Sequence, residues 1–328
     1  RGIALTVIGV TLIVIVVPLF VIVALRGPGW MHADMPVKKA KTITINVYLH
    51  ETDEITSMDL EEYVKGVVAA EMPAEFHPEA LKAQAVAART YAVKNMLYMG
   101  GQGVPGKAGA DVTTDPHEGQ AWFDEGKLKS RWGLLGYQKY WPKINKAVDD
   151  TQGMILTHQG KPIHAVFHST SGERTASSKE VWGFEYPYLQ SVPSTWDKEA
   201  PRYSDTKLIP YTDVDKKLGT DTRAVTVSQS GDKKVAQVLS RTESGRVDKV
   251  RIGNATFDGL TVRSKLELRS AKFTVEQRPD GLEIITQGYG HGVGLSQYGA
   301  NGMAKEGRPF NEILTHYYSG VVVEKLQQ

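Results

Sequence analysis

The chain has no cysteine. Disulfides, thiolate nucleophiles, iron–sulfur clusters and cysteine-ligated zinc are therefore excluded, while the compartment stays open, since disulfide-free proteins work on both sides of a membrane. It also lacks a surplus of charge of either sign. Its 39 basic and 37 acidic residues give a net +2 and are spread along the sequence without a basic run, so nucleic acid is not an expected partner. Several motifs of phosphate, metal and hydrolytic chemistry are missing too. There is no GxxxxGK[ST], no HExxH and no G-x-S-x-G elbow around His168 and Ser169, and Gly290-x-Gly292-x-Gly294 stands outside the strand, helix and acidic context of a dinucleotide fold. His164 and His168 are four apart in a strand-like context, where that spacing builds no metal face. No cofactor is expected.

What is present begins with one long hydrophobic run. From Gly2 to Leu25 the chain is uncharged and dominated by Ile, Val and Leu. At about 1.5 Å per residue, a helix of that length exceeds the roughly 30 Å hydrocarbon core of a bilayer. Arg26-Gly27-Pro28 follows it in place of a small-x-small cleavage site, so residues 1–25 are expected to be an uncleaved transmembrane anchor. Arg1 and Arg26 flank the run equally, and charge alone does not orient it. Residues 26–41, rich in Gly, Pro, Lys and Ala, suit a tether, leaving 42–328 as a soluble domain.

That domain reads as α+β. Ile43, Ile45, Val47 and Leu49 alternate with polar neighbours, the period of a half-buried strand. Leu60, Tyr63, Val64, Val67, Val68 and Glu71 fall on one face of a helix, with Asp59 and Glu62 spaced as a capping box and Pro73 ending the run. Pro78 suits the first position of a second helix whose Leu81, Gln84, Ala85, Ala88, Ala92 and Met96 share a face. Residues 99–133, with little periodicity, read as a long irregular excursion of the kind that often carries function. Strand signals return from Met154 to Phe167. Between Val225 and Thr286 short β-type runs are punctuated by Glu243-Ser244-Gly245, Asp258-Gly259 and Pro279-Asp280-Gly281, suggesting a β-rich subdomain near 200–285.

Three polar constellations compete for chemistry. The first is Glu71, a carboxylate on an otherwise apolar helical stripe, with Arg89 on the next helix. Desolvation there would raise the Glu71 pKa and suit it to general acid work; a structural ion pair is the alternative. The second is His168-Ser169-Thr170-Ser171-Gly172, at the end of a strand-like run. The third is Gly288 to Gly299, glycine-rich enough for close backbone approach to a ligand or another chain.

The segments EEYVKGVVAAEMPAEFHPEALKAQAVAARTYAV (61–93), HSTSGERTASSKEVWG (168–183), LELRSAKF (266–273) and GYGHGVGLSQYGANGMA (288–304) together resemble the SpoIID/LytB family. The likeness runs in order from about residue 43 to 325. It implies a membrane-anchored lytic transglycosylase, on the extracytoplasmic side of the cell membrane, that cleaves peptidoglycan glycan strands during engulfment in sporulation. It places the catalytic acid on Glu71, Arg89 in the same cleft, and substrate contacts on His168, Ser169, Ser171, His291, Gln297 and Tyr298. Implied partners are glycan strands stripped by an amidase, that amidase, and other engulfment membrane proteins. The family also includes non-catalytic amidase enhancers, which leaves a glycan-binding module as the alternative function. Some members hold zinc near the position of Asp111–Trp122, but here the stretch reads DVTTDPHEGQAW; without cysteine no metal site is expected, His117 with Asp115 or Glu118 being the residual candidates.

Overall fold

Ile45 and Val47 are fully buried in β1 (Thr44–Leu49), as their alternation requires. This strand pairs antiparallel with β2 (Glu54–Asp59) and parallel with β3 (Val112–Thr113). The computed structural model describes residues 42–222 and 234–326. The expected anchor over 1–25 and tether over 26–41 lie outside the described residues, among which no helix is long and apolar enough to cross a membrane.

Helix α1 (Leu60–Glu71) follows β2 directly. The Asp59 carboxylate caps it, accepting from the backbone N–H of Glu61 and Glu62. The reciprocal half of a capping box does not form, because Glu62 pairs with Lys65 instead. Leu60, Tyr63, Val64, Val67 and Val68 make the buried stripe. The helix stops at Glu71 because Met72 precedes Pro73 and is forced into extended backbone, with φ −108° and ψ 141°. Helix α2 (Pro78–Asn95) opens on its proline and buries Leu81, Gln84, Ala85, Ala88 and Ala92.

The irregular excursion is shorter than its composition suggests. It ends at Asp124, whose carboxylate accepts from the Lys127 N–H at 2.7 Å and caps α3 (Glu125–Asp150). Gly133, Gly136 and Pro142 read as helix breakers, and Gly133 does break the regular geometry, with φ 67° and ψ 172°. Burial of Leu128, Ile144, Ala147 and Val148 outweighs them over the rest of the segment.

The strand signals after Met154 resolve into β4 (Met154–His158), its two-residue antiparallel partner Lys161–Pro162, and the two-residue β5 (Phe167–His168). Further on lie β6 (Ser204–Pro210), β7 (Ala236–Arg241), β8 (Val247–Ile252), β9 (Ala255–Asp258), β10 (Phe273–Gln277) and β11 (Gly281–Gln287). They form two three-stranded sheets, ordered β7-β8-β9 and β10-β11-β6, around a hydrophobic cluster of their own that includes Val250, Val262, Phe273 and Ile284. Pro279-Asp280-Gly281 is the hairpin turn between β10 and β11, with Gln277 opposite Leu282. Asp258-Gly259 is not a turn between strands: Asp258 caps the helix Gly259–Lys265 by accepting from the Thr261 N–H. The architecture is α+β, with the larger core built on α1, α2 and α3.

Arg89 braces that core. Its side chain is fully buried and its Nε donates to Glu61 Oε1 at 2.9 Å, while Nη1 donates to the Met154 carbonyl at 3.1 Å. Glu61 opens α1 and Glu71 closes it, about 15 Å apart along the axis at 1.5 Å per residue. Arg89 is thus at the opposite end of the helix from Glu71 and not beside it, as the resemblance implied. Breaking one side of a buried ion pair costs on the order of 3–5 kcal/mol. Arg89→Leu is therefore expected to lower the melting temperature strongly, a loss that calorimetry on purified protein will measure.

Candidate functional site

Glu71 sits where two chain segments close over the end of α1. The segment after β3 runs back along the helix: Gln120 Oε1 accepts from the Tyr63 hydroxyl at 3.3 Å, and the Phe123 N–H donates to the Gly66 carbonyl at 3.3 Å. Between them the Ala121 N–H donates to Glu71 Oε1 at 2.7 Å. Arg131, at the start of α3, donates to the Ala69 and Ala70 carbonyls, satisfying groups that the helix end leaves open. The fit is close at Gly66, where a Cβ would lie 2.2 Å from Trp122 Nε1.

From the other side comes Gln297. It begins helix α4 (Gln297–Lys305), immediately after β12 (Leu295–Ser296), which pairs parallel with β5 so that Ser296 lies opposite His168. The Gln297 amide approaches Glu71 without a formed hydrogen bond, and its Nε2 is buried with no partner. Burial raises the Glu71 pKa above the ordinary glutamate value; the Ala121 N–H and the Gln297 amide partly oppose it. Glu71 is therefore a carboxyl that keeps its proton to higher pH and stays partly reachable.

The other expected site residues hold this framework. His168 Nδ1 donates to the Val293 carbonyl at 3.1 Å, so its Nε2 accepts from Ser171 Oγ–H at 2.8 Å. Ser171 is fully buried, and its backbone N–H donates to Asp197 Oδ2 at 3.2 Å. Asp197 also accepts from Ser296 Oγ–H, and Ser296 in turn caps α4. The Ser169 carbonyl accepts from the Tyr298 N–H at 3.1 Å. His291 Nε2 donates to the Phe167 carbonyl at 2.9 Å while Nδ1 accepts from the Val293 N–H at 3.1 Å, so both ring nitrogens are occupied. Two glycines permit the approach. A Cβ at Gly290, with φ 113°, would meet His168 Cβ at 2.8 Å, and one at Gly294, with φ 73°, would meet the Val166 carbonyl at 2.2 Å. Tyr298 packs edge-on against Phe76, and both line a cavity of about 320 Å³ with Trp196 and Asn301; Glu71 is not part of its wall.

Gln297 is thus brought to Glu71, His168, Ser169, Ser171 and His291 lie behind it, and Arg89 is elsewhere. Gln120, Ala121 and Trp122 are the contributors that residue patterns missed, although the irregularity of their segment was a signal. Asp197 carried none. At the residual metal candidate, Asp115 accepts from the His117 backbone N–H at 2.9 Å.

With this geometry in place, sequence relationships become informative. A family model described as SpoIID, Stage II sporulation protein, matches residues 48–158, the stretch that holds Glu71 and Ala121. The chain is 40% identical over 287 residues to Stage II sporulation protein D of Bacillus subtilis (strain 168), covering 88% of this chain and 80% of that protein. The chain belongs to the stage II sporulation protein D family. Stage II sporulation protein D of Bacillus amyloliquefaciens is likewise 40% identical over 290 residues, covering 88% of this chain and 81% of the relative. A more distant similarity, 27% identity over 307 residues, links this family member to the Amidase enhancer of Bacillus subtilis (strain 168), spanning 79% of this chain and 40% of that protein.

Gly66→Ala tests the fit around Glu71. In a helix interior alanine is favoured over glycine by about 1 kcal/mol, yet here its methyl must displace Trp122 and with it the segment that carries Ala121. The clash is expected to win and lower stability, as melting curves of Gly66→Ala beside the unaltered protein will show. Acid stability follows from the histidines. Burial, foremost, depresses His168 well below 6.5 and His291 to about 4. A depressed histidine stabilises the fold fully above its unfolded pKa and loses that contribution as pH falls through the folded value. Glu71 and Asp197, both raised foremost by burial, act in the opposite sense, while His164, lowered by burial, adds to the other two histidines. Melting temperature is expected to fall as pH drops from about 6.5 toward 4, measured by thermal unfolding across that range.

Proposed function

We propose that this protein is a lytic transglycosylase that cleaves peptidoglycan glycan strands to 1,6-anhydromuramic ends, working from a membrane tether on the extracytoplasmic side during engulfment. The observation that carries this reading is Glu71, whose pKa burial raises and whose Oε1 is held by the Ala121 N–H. The influences that set its protonation are burial, a backbone N–H and an amide, none of them a second acid. Hydrolytic glycosidases normally flank the bond with two carboxyl groups. A transglycosylase needs one, because the substrate brings its own nucleophile.

In the first half of the reaction neutral Glu71 donates its proton to the glycosidic oxygen as the C1–O4 bond breaks. The resulting carboxylate then takes the proton from the C6 hydroxyl of the same muramic acid as O6 bonds to C1, which restores neutral Glu71. Proximity favours this path, since nucleophile and electrophile share one sugar ring. Gln297 is placed to hydrogen-bond the carboxylate once the proton has left, and its unpartnered amide has that capacity free. Activity should fall as pH rises through the raised Glu71 pKa, when the acid form is lost.

The natural substrate under this reading is a strand already stripped of stem peptides, which makes a cell-wall amidase the expected partner. The similarity to an amidase enhancer favours a second reading, a glycan-binding module without turnover. One experiment separates them. Purified protein incubated with amidase-stripped strands is expected to yield anhydromuramic ends by mass spectrometry, and Glu71→Gln, which keeps shape but has no acid proton, is expected to lower the rate by about 10²–10⁴-fold. Strand binding without such ends would favour the enhancer.

A further inference from the structure

Beyond Glu71, the protein exposes aromatic rings on a turn that is not free to fold them away. Ser177 caps the short helix Ser178–Trp182, Gly183 ends it at φ 79°, and Ser178 Oγ accepts from the Tyr186 N–H at 2.8 Å. On this pinned turn Trp182 is 36% and Phe184 52% exposed. Their rings lie 6.1 Å apart and within 21° of parallel. Tyr186 continues the row, edge-on to Phe184 at 5.3 Å and 4.9 Å from the ring of His164. Leaving such large apolar faces in water forgoes their burial energy, so a row held open by fixed hydrogen bonds calls for an occupant.

The row adjoins the framework that carries Gln297. Trp182 lies 5.7 Å from His291, which is bonded to Phe167 in β5, and β5 pairs with the strand that delivers Gln297. Flat ring faces edged by imidazole and phenol match one ligand chemistry in particular: a saccharide, whose pyranose offers an apolar C–H face and a hydroxyl rim.

Building on the glycan reading above, we propose that Trp182, Phe184 and Tyr186 form a stacking platform that holds a glycan strand leading to Glu71. The platform supplies binding to sugars remote from the cleaved bond, and so governs KM and not the chemical step.

The test uses the full chain carrying Glu71→Gln, so that strands bind without being consumed, titrated with amidase-stripped glycan strands. Adding Trp182→Ala or Phe184→Ala is expected to weaken binding about three- to tenfold each, the scale of one lost aromatic contact, while Trp182→Phe keeps most of the affinity. In the chain with Glu71 intact, Trp182→Ala should raise KM and leave kcat near normal. Unchanged binding in both alanine variants would overturn the platform, as would a loss confined to strands that carry stem peptides. Should Trp182→Ala fail to fold, the more exposed Phe184→Ala decides alone. Ring-dependent binding with no anhydromuramic ends from the Glu71 chain would leave the platform standing and remove only the transglycosylase reading.

Discussion

The structure around the site depends on one contact, the Ala121 N–H held against Glu71 at 2.7 Å at the end of α1. A carboxylate on a helix's apolar stripe is costly to ionise away from water. It is tolerated here because Pro73 stops the helix at that point, so Glu71 lies at the partly exposed end of the helix. The segment from Gln120 to Phe123 then lies along the helix, its Phe123 N–H on the Gly66 carbonyl and its Ala121 N–H on the carboxyl. Arg131 satisfies the carbonyls just before Glu71, completing a rigid mount.

The glycine-rich and histidine-serine segments serve that mount from the opposite side. Their buried network of His168, Ser171, Asp197 and Ser296 fixes the start of α4, and thus Gln297. Ser171 facing His168 has the look of a nucleophile and its base. Full burial of the hydroxyl argues for a structural bond instead, which keeps both partners neutral and their hydrogen bonds satisfied. Low imidazole pKa values here are a consequence of packing.

Much of this could be read from residues alone. The period of three and four that put Glu71 on a buried stripe, the stop at Pro73 and the start at Pro78 are local effects, and local effects survive folding. The α3 helix from Glu125 onward was hidden because Gly133, Gly136 and Pro142 argue against it, and only long-range burial of residues such as Leu128 and Ile144 decides the matter. Arg89 was misplaced for a related reason. Its sequence neighbourhood and Glu71's lie close together, but a twelve-residue helix separates their partners, and Glu61, not Glu71, meets the guanidinium. Asp197 and Ala121 could not be singled out, since a buried aspartate and a backbone N–H carry no pattern until the chain is closed.

The fold raises the Glu71 pKa, foremost by burial. The most direct test is a ¹³C NMR titration of the Glu71 side-chain carboxyl in protein labelled at glutamate, assigned by comparison with Glu71→Gln. A midpoint clearly above the ordinary glutamate value of 4.5 is predicted; a midpoint at or below that value would contradict the account.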